Sequence, residues 1–112
     1  MNLPSSFIIK FIINASVNQT YENTAYLRFN NSSGTYCGKG GSASQNINLG
    51  TTTLNQITPN TDVEYTLTYE NGTGVLTDGT DSITVTGLNL TKLYSFDART
   101  YATLKNIRII KV

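Results

Sequence analysis

The sequence predicts an all-β fold: one domain over residues 1–112, a small antiparallel β-sandwich of seven to nine short strands. Three observations carry this expectation. No stretch of ten or more residues repeats its apolar side chains with a helical period, whereas several runs alternate with period two. Turn signals built on Asn, Gly, Asp and Pro separate those runs at short intervals. The polar side chains are also of the sheet-and-turn kind, with 18 Thr, 13 Asn and 9 Ser. Charged residues make up only 13% of the chain, about half the usual share of a globular domain.

Taken in order, residues 7–14 read as the first strand. Phe7, Ile9, Phe11 and Ile13 form one face, while Ile8 and Ile12 make the other face apolar around Lys10. A strand apolar on both faces is either central and covered or half-buried against a neighbouring subunit. A polar turn leads to "TAYLRF" at 24–29. The glycine-rich segment 30–44 has no clear period, although Thr35 to Cys37 fits a short strand. "QNINLG" at 45–50 and the weaker "TTTLNQI" at 51–57 follow, and Pro59 with Asn60 marks a turn. Residues 61–70 alternate most clearly, with Val63, Tyr65, Leu67 and Tyr69 on a core face and Glu64, Thr66, Thr68 and Glu70 on a solvated one. "NGTG" at 71–74 and "DGTD" at 78–81 are turns bracketing a brief "VLT". "SITVTGL" and "YSFDART" come next, and a last strand centres on Ile107 and Ile109. Short strands in this number build a sandwich or a small barrel, and the sandwich is the reading adopted.

Several chemistries lack their residues. There is no histidine, which removes the commonest general base and zinc ligand together. Cys37 is the only cysteine, so no internal disulfide forms. Without a histidine to activate it, it reads as a small buried hydrophobe, with a contact to another chain left open by the flanking glycines. Glu64 and Glu70 share one strand face about 20 Å apart, too far for a paired-carboxylate hydrolase. "GTYCGKGG" lacks the spacing of a phosphate-binding loop. Asp78 and Asp81 supply oxygens of the type calcium takes, but too few ligands. Eight basic and seven acidic residues give a net charge of +1, which does not suit nucleic acid. "FIIKFII" is too short to span a bilayer and lacks the flanks of a signal peptide. Six Asn-x-Ser/Thr acceptors are a by-product of the composition. Tyr21, Tyr26, Tyr36 and Tyr101, outside the best core strand, are candidates for a sugar platform. No enzyme activity, cofactor or metal is expected.

Residues 83–100, "ITVTGLNLTKLYSFDART", resemble the E strand, turn and F strand of fibronectin type III and related immunoglobulin-like domains. In those domains a Leu precedes a short turn and a Tyr follows six residues later, and Leu88 and Tyr94 stand at these positions. The stretch departs from the pattern at Asn89 to Leu93, which contains neither Pro nor Gly, and the chain has no tryptophan. The resemblance implies an immunoglobulin-like sandwich with a tyrosine corner, the Tyr94 hydroxyl bonding back to the turn. Leu88 and Tyr94 would then fasten the two sheets.

The chain is also similar in type to virion proteins of tailed phages, whose capsid decoration, head-auxiliary and fibre proteins are often small, cysteine-poor, Thr- and Asn-rich sheet domains. That implies a structural protein of the virion, bound to capsid or other virion proteins in a homo- or hetero-oligomeric assembly. Phe7, Ile8, Lys10, Ile12, Tyr36 and Lys39 are the candidate interface residues. The alternative is an adhesion or carbohydrate-binding module of a bacterial surface or secreted protein, with a glycan held by loops 30–44 or 71–81. Neither reading involves nucleic acid or a membrane.

Overall fold

The computed structural model describes residues 1–17, 23–40 and 45–112. Its strands are β1 (Ser6–Ala15), β2 (Ala25–Phe29), β3 (Tyr36–Lys39), β4 (Asn46–Leu49), β5 (Thr52–Gln56), β6 (Val63–Glu70), β7 (Thr73–Thr77), β8 (Ser82–Val85), β9 (Leu93–Ala98) and β10 (Ala102–Lys111). They form two five-stranded sheets, ordered β10-β1-β6-β7-β8 and β5-β4-β3-β2-β9. Every pairing is antiparallel. The sheets stack as a sandwich, with β8 near β5 at one side and β10 near β9 and β2 at the other. The ten strands exceed the expected seven to nine because β3 and β7 are full sheet members. In sequence these two showed only as a three-residue stretch at Thr35 to Cys37 and a brief "VLT" between two turns.

The first strand explains its own two-faced apolarity. β1 lies between β6 and β10, pairing with both over most of its length. Phe7, Ile9, Phe11 and Ile13 point inward and are fully buried, while Ile8, Lys10 and Ile12 lie on the outer face and are half-buried. Tyr65, Leu67 and Tyr69 of β6 share the core, as the alternation of that strand predicts. Leu27 and Phe29 of β2, Ile47 and Leu49 of β4 and Leu76 of β7 complete it. Phe7 packs against Phe29 and Tyr69 with ring centroids 6.5 and 5.1 Å apart, and Phe11 against Tyr65 at 5.7 Å. Each such side chain contributes about 1.5–3 kcal/mol by leaving water. Within β3, Gly38 has φ +136°, and a Cβ there would lie 2.5 Å from the Ala25 carbonyl oxygen, so the close approach of β2 to β3 requires glycine.

Residues 86–92 do not form a hairpin. They carry the chain from β8, at one edge of the first sheet, to β9, at the opposite edge of the second, across one end of the sandwich. The segment is pinned by polar contacts at both ends. Leu88 N–H donates to the Gly72 carbonyl at 2.8 Å. The Tyr69 hydroxyl donates to the Leu88 carbonyl at 3.1 Å and accepts the Leu90 N–H at 3.3 Å. Asn30, in left-handed backbone at φ 71°, accepts the Thr91 and Lys92 N–H groups on its side-chain oxygen at 3.0 and 3.3 Å. Leu90, 1% exposed, plugs the end of the core, with Leu88 packed beside it.

Tyr94 does not make the tyrosine corner expected of it; the bond from a tyrosine hydroxyl to this segment comes from Tyr69 of β6. Tyr94 is 48% exposed, and its ring stands 6.0 Å from the Lys92 ammonium. The cause is a bulge in the β2–β9 pairing: Leu93 lies opposite Phe29 and Ser95 opposite Arg28, leaving Tyr94 as the extra residue. Leu93 goes inward in its place. The hydroxyl-to-turn bond comes instead from Tyr69 on β6. Replacing Tyr69 with Phe leaves the buried Leu90 N–H without a partner and is expected to cost about 1–3 kcal/mol. Tyr94→Phe is expected to cost under about 0.5 kcal/mol. Urea unfolding of the two variants checks this, and equal costs would remove the assignment.

Candidate functional site

The six residues expected to form one interface lie in three places. Phe7 is buried in the domain's own core and presents nothing to a partner. Lys39 is also buried, because the β3 alternation turns it inward, between Ala25 and Ile47 of the neighbouring strands. Its ammonium donates to the Gly40 carbonyl at 2.7 Å, and loss of water lowers its pKa. Ile8, Lys10 and Ile12 share the outer face of the first sheet. Tyr36 lies on the outer face of the second sheet, on the opposite side of the sandwich. Ion pairs also cross the strand that carries Ile12. Arg108 and Lys105 of β10 reach over β1 to Glu64 of β6 and to Asp62 just before it.

A more continuous apolar surface appears at the β9–β10 side. Phe96 pairs with Leu27 and so shares the inner face of the second sheet, yet it is 56% exposed. Opposite it, Leu104, Ile107 and Ile109 of β10 are only partly buried against the core. On the outer side of β10, Ile110 is 43% exposed and lies next to Ile8. β9 and β10 are both edge strands, so the gap between the sheets opens here onto apolar side chains. Between Lys10 and Ile12 the β1–β10 register shifts, and Asn106 adopts φ 56° at this bulge.

The opposite side is closed by a polar clamp. The Asn55 amide on β5 donates to Asp78 at 2.7 Å and to Asp81 at 2.9 Å, across to the turn before β8. The other Asp78 oxygen accepts the Thr80 and Asp81 N–H groups at 2.9 and 2.7 Å. Partial burial alone would raise the Asp78 pKa. The Asp81 and Thr80 N–H groups and the Asn55 amide outweigh it and hold the carboxyl below its ordinary value. These two acids thus act within the fold as acceptors for Asn55 and their own turn.

The outer face of the second sheet carries Tyr26, Arg28, Tyr36 and Asn48 together. The Arg28 guanidinium stands 5.0 Å from the Tyr26 ring and 5.7 Å from the Tyr36 ring. The alternation of "YLRF" places Tyr26 and Arg28 on one face, but their meeting with Tyr36 depends on the β2–β3 register, which no local pattern announces. Tyr101 is exposed after β9, and Tyr21 lies outside the described residues. An open groove of about 530 Å³ lies between Leu3–Ser5, Gly72 and Leu88–Thr91, and the Tyr69 hydroxyl at its wall is already bonded to the crossing segment.

Cys37 is fully buried within the domain, and its thiol pKa is pushed up by loss of water. Among the described residues, no three His, Cys, Asp or Glu side chains group so as to hold a metal ion. No helix among them is long and apolar enough to cross a membrane. No protein-family model, curated protein or solved structure matches the chain.

The clamp has a pH signature. A carboxyl whose folded pKa is depressed adds stability that is present above its unfolded value and lost as pH falls through the folded one. Stability is expected to decline below about pH 4. Asp62, held down by hydrogen bonds from Lys105 and Asn14, acts in the same direction. Asp78→Asn is expected to lower stability at neutral pH and flatten the acid limb, as read by urea midpoints from about pH 3 to 7. An unaltered acid limb would show that Asp78 does not couple folding to protons.

Proposed function

We propose that the chain is a non-enzymatic structural component of a larger protein assembly, a virion decoration or fibre-associated subunit. It docks through the open β9–β10 seam onto the assembly's shell protein. The observation that carries this reading is Phe96, an inward-facing aromatic of the sandwich left more than half exposed. In a self-sufficient sandwich such a position faces other core side chains, and an exposed apolar strip along an edge is a liability unless a partner covers it. β10 is ten residues long, so the seam runs about 33 Å beside a gap about 10 Å deep. It continues round Ile110 to Ile8, so a partner reaches the roughly 800 Å² of a standard interface by covering part of the outer face of the first sheet as well. The low charge supports the same reading, because a surface made mostly of Thr, Asn and Ser suits close packing among neighbours. The immunoglobulin-like form of the sandwich is part of this proposal, supported by a between-sheet crossing fastened by a tyrosine hydroxyl.

The test separates docking from folding. Phe96→Glu places a charge on an exposed position, so the monomer is expected to keep its melting temperature within a few degrees. Stoichiometric recovery with the shell protein, read by native mass measurement of assembled particles, is expected to fall at least tenfold. Ile12→Glu, under the ion pairs, is expected to have a smaller effect. Full incorporation of Phe96→Glu would exclude the seam, and a free monomer in otherwise complete wild-type particles would exclude the assembly role.

A further inference from the structure

We propose that the outer face of the second sheet is a saccharide platform centred on Tyr36, which takes a neutral pyranose ring. This goes beyond the docking role and does not depend on it, because the platform and the seam lie on different parts of the surface.

The platform starts from two glycines. In the row across the second sheet, Gly38 sits between Asn48 of β4 and Tyr26 of β2, so a residue without a side chain occupies the middle of the face. The Tyr36 side chain leans along β3 as far as Gly40: a Cβ added there would lie 2.8 Å from the Tyr36 hydroxyl and 3.0 Å from Cζ. The glycines leave room for the ring to lie along the sheet. Tyr26 meets it at 5.4 Å with the planes inclined by 54°, giving two aromatic walls.

Polar groups fix this arrangement before any ligand arrives. Thr53 Oγ1 donates to Asn48 Oδ1 at 2.8 Å, and Asn48 Nδ2 donates to the Tyr36 hydroxyl at 3.3 Å. In that bond the Tyr36 oxygen accepts, so its own O–H proton is not used by Asn48. Arg28 is tied at both ends of its fork, to the Gly34 carbonyl at 2.8 Å and to the Tyr26 hydroxyl at 3.3 Å. Two of its five N–H groups are thus used. Side chains held this way lose little freedom on binding.

The class of ligand follows by elimination. β3 is the middle strand of its sheet, so no free backbone edge is available for an added peptide strand. Arg28 is the one cation among these side chains, and Asp97, one row away beside Tyr26, lies 3.8 Å from Arg99, so the face carries no run of like charges to hold a polyanion or a polycation. What remains is a pair of half-buried tyrosine rings, inclined by 54° with one guanidinium beside them, ringed by amide and hydroxyl groups. That combination suits a pyranose, whose C–H face packs on an aromatic ring while its hydroxyls find the rim.

The experiment is saturation-transfer NMR on the whole chain with methyl glycosides of glucose, galactose, mannose and N-acetylglucosamine, and with sodium glucuronate as an anionic comparison. At least one neutral glycoside is expected to bind with a dissociation constant on the order of 1 mM. Tyr36→Ala is expected to weaken it about tenfold, Asn48→Ala a few-fold, and Tyr94→Ala not at all. Gly40→Ala displaces the Tyr36 ring without removing it, so it is expected to match Tyr36→Ala and serves if that variant does not fold. No transfer to any neutral glycoside, stronger binding of glucuronate than of all of them, or unchanged binding in the Tyr36 and Gly40 variants would overturn the proposal.

Discussion

The fold depends on the inward row of β1. Phe7, Ile9, Phe11 and Ile13 sit where the β1–β10 and β1–β6 ladders meet, and their rings and methyl groups contact both layers of the core. The outer side of the same strand stays half-apolar because β6 and β10 flank it and ion pairs from β10 cross it. Two-sided apolarity is thus the signature of a central strand, with the neighbours and the ion pairs doing the covering. In a chain with so few charges, those pairs lie where an apolar outer face would otherwise be bare.

The ends of the sandwich follow a different rule. A segment crossing from one sheet edge to the opposite edge of the other layer cannot join a ladder, so its N–H and C=O groups need other partners. Asn30 and Tyr69 supply them from within regular strands or immediately after one. An amide in left-handed backbone and one inward tyrosine thereby replace a stretch of sheet.

Much of this was legible in the residues. The alternation of 61–70 placed Tyr65 and Tyr69 in the core, whereas the residues of 7–14 left two readings open, a central covered strand or one half-buried against another subunit, and the pairing with β6 and β10 makes the strand central. What could not be read was anything set by a bulge or a register. The single extra residue opposite Phe29 turned Tyr94 outward, and period-two reasoning has no signal for such an insertion. Lys39 was expected at an interface, whereas the parity of a four-residue strand turned it into the domain's own interior. The grouping of Tyr26, Arg28, Tyr36 and Asn48 joins three strands, and sequence distance alone does not reveal which rows align.

The two sides of the sandwich differ in kind, one closed by an amide between two carboxylates and the other left apolar. The bulge at Asn106 gives the open side a further property. A flat ten-residue edge would template the addition of an identical strand, and then another, wherever copies crowd together. Here the kink at Asn106 breaks the straight run of donors and acceptors that fibrillar growth requires. An edge bent in this way is a poorer template for an added strand than a flat one, so the residue that shifts the β1–β10 register also blunts the free edge of the first sheet.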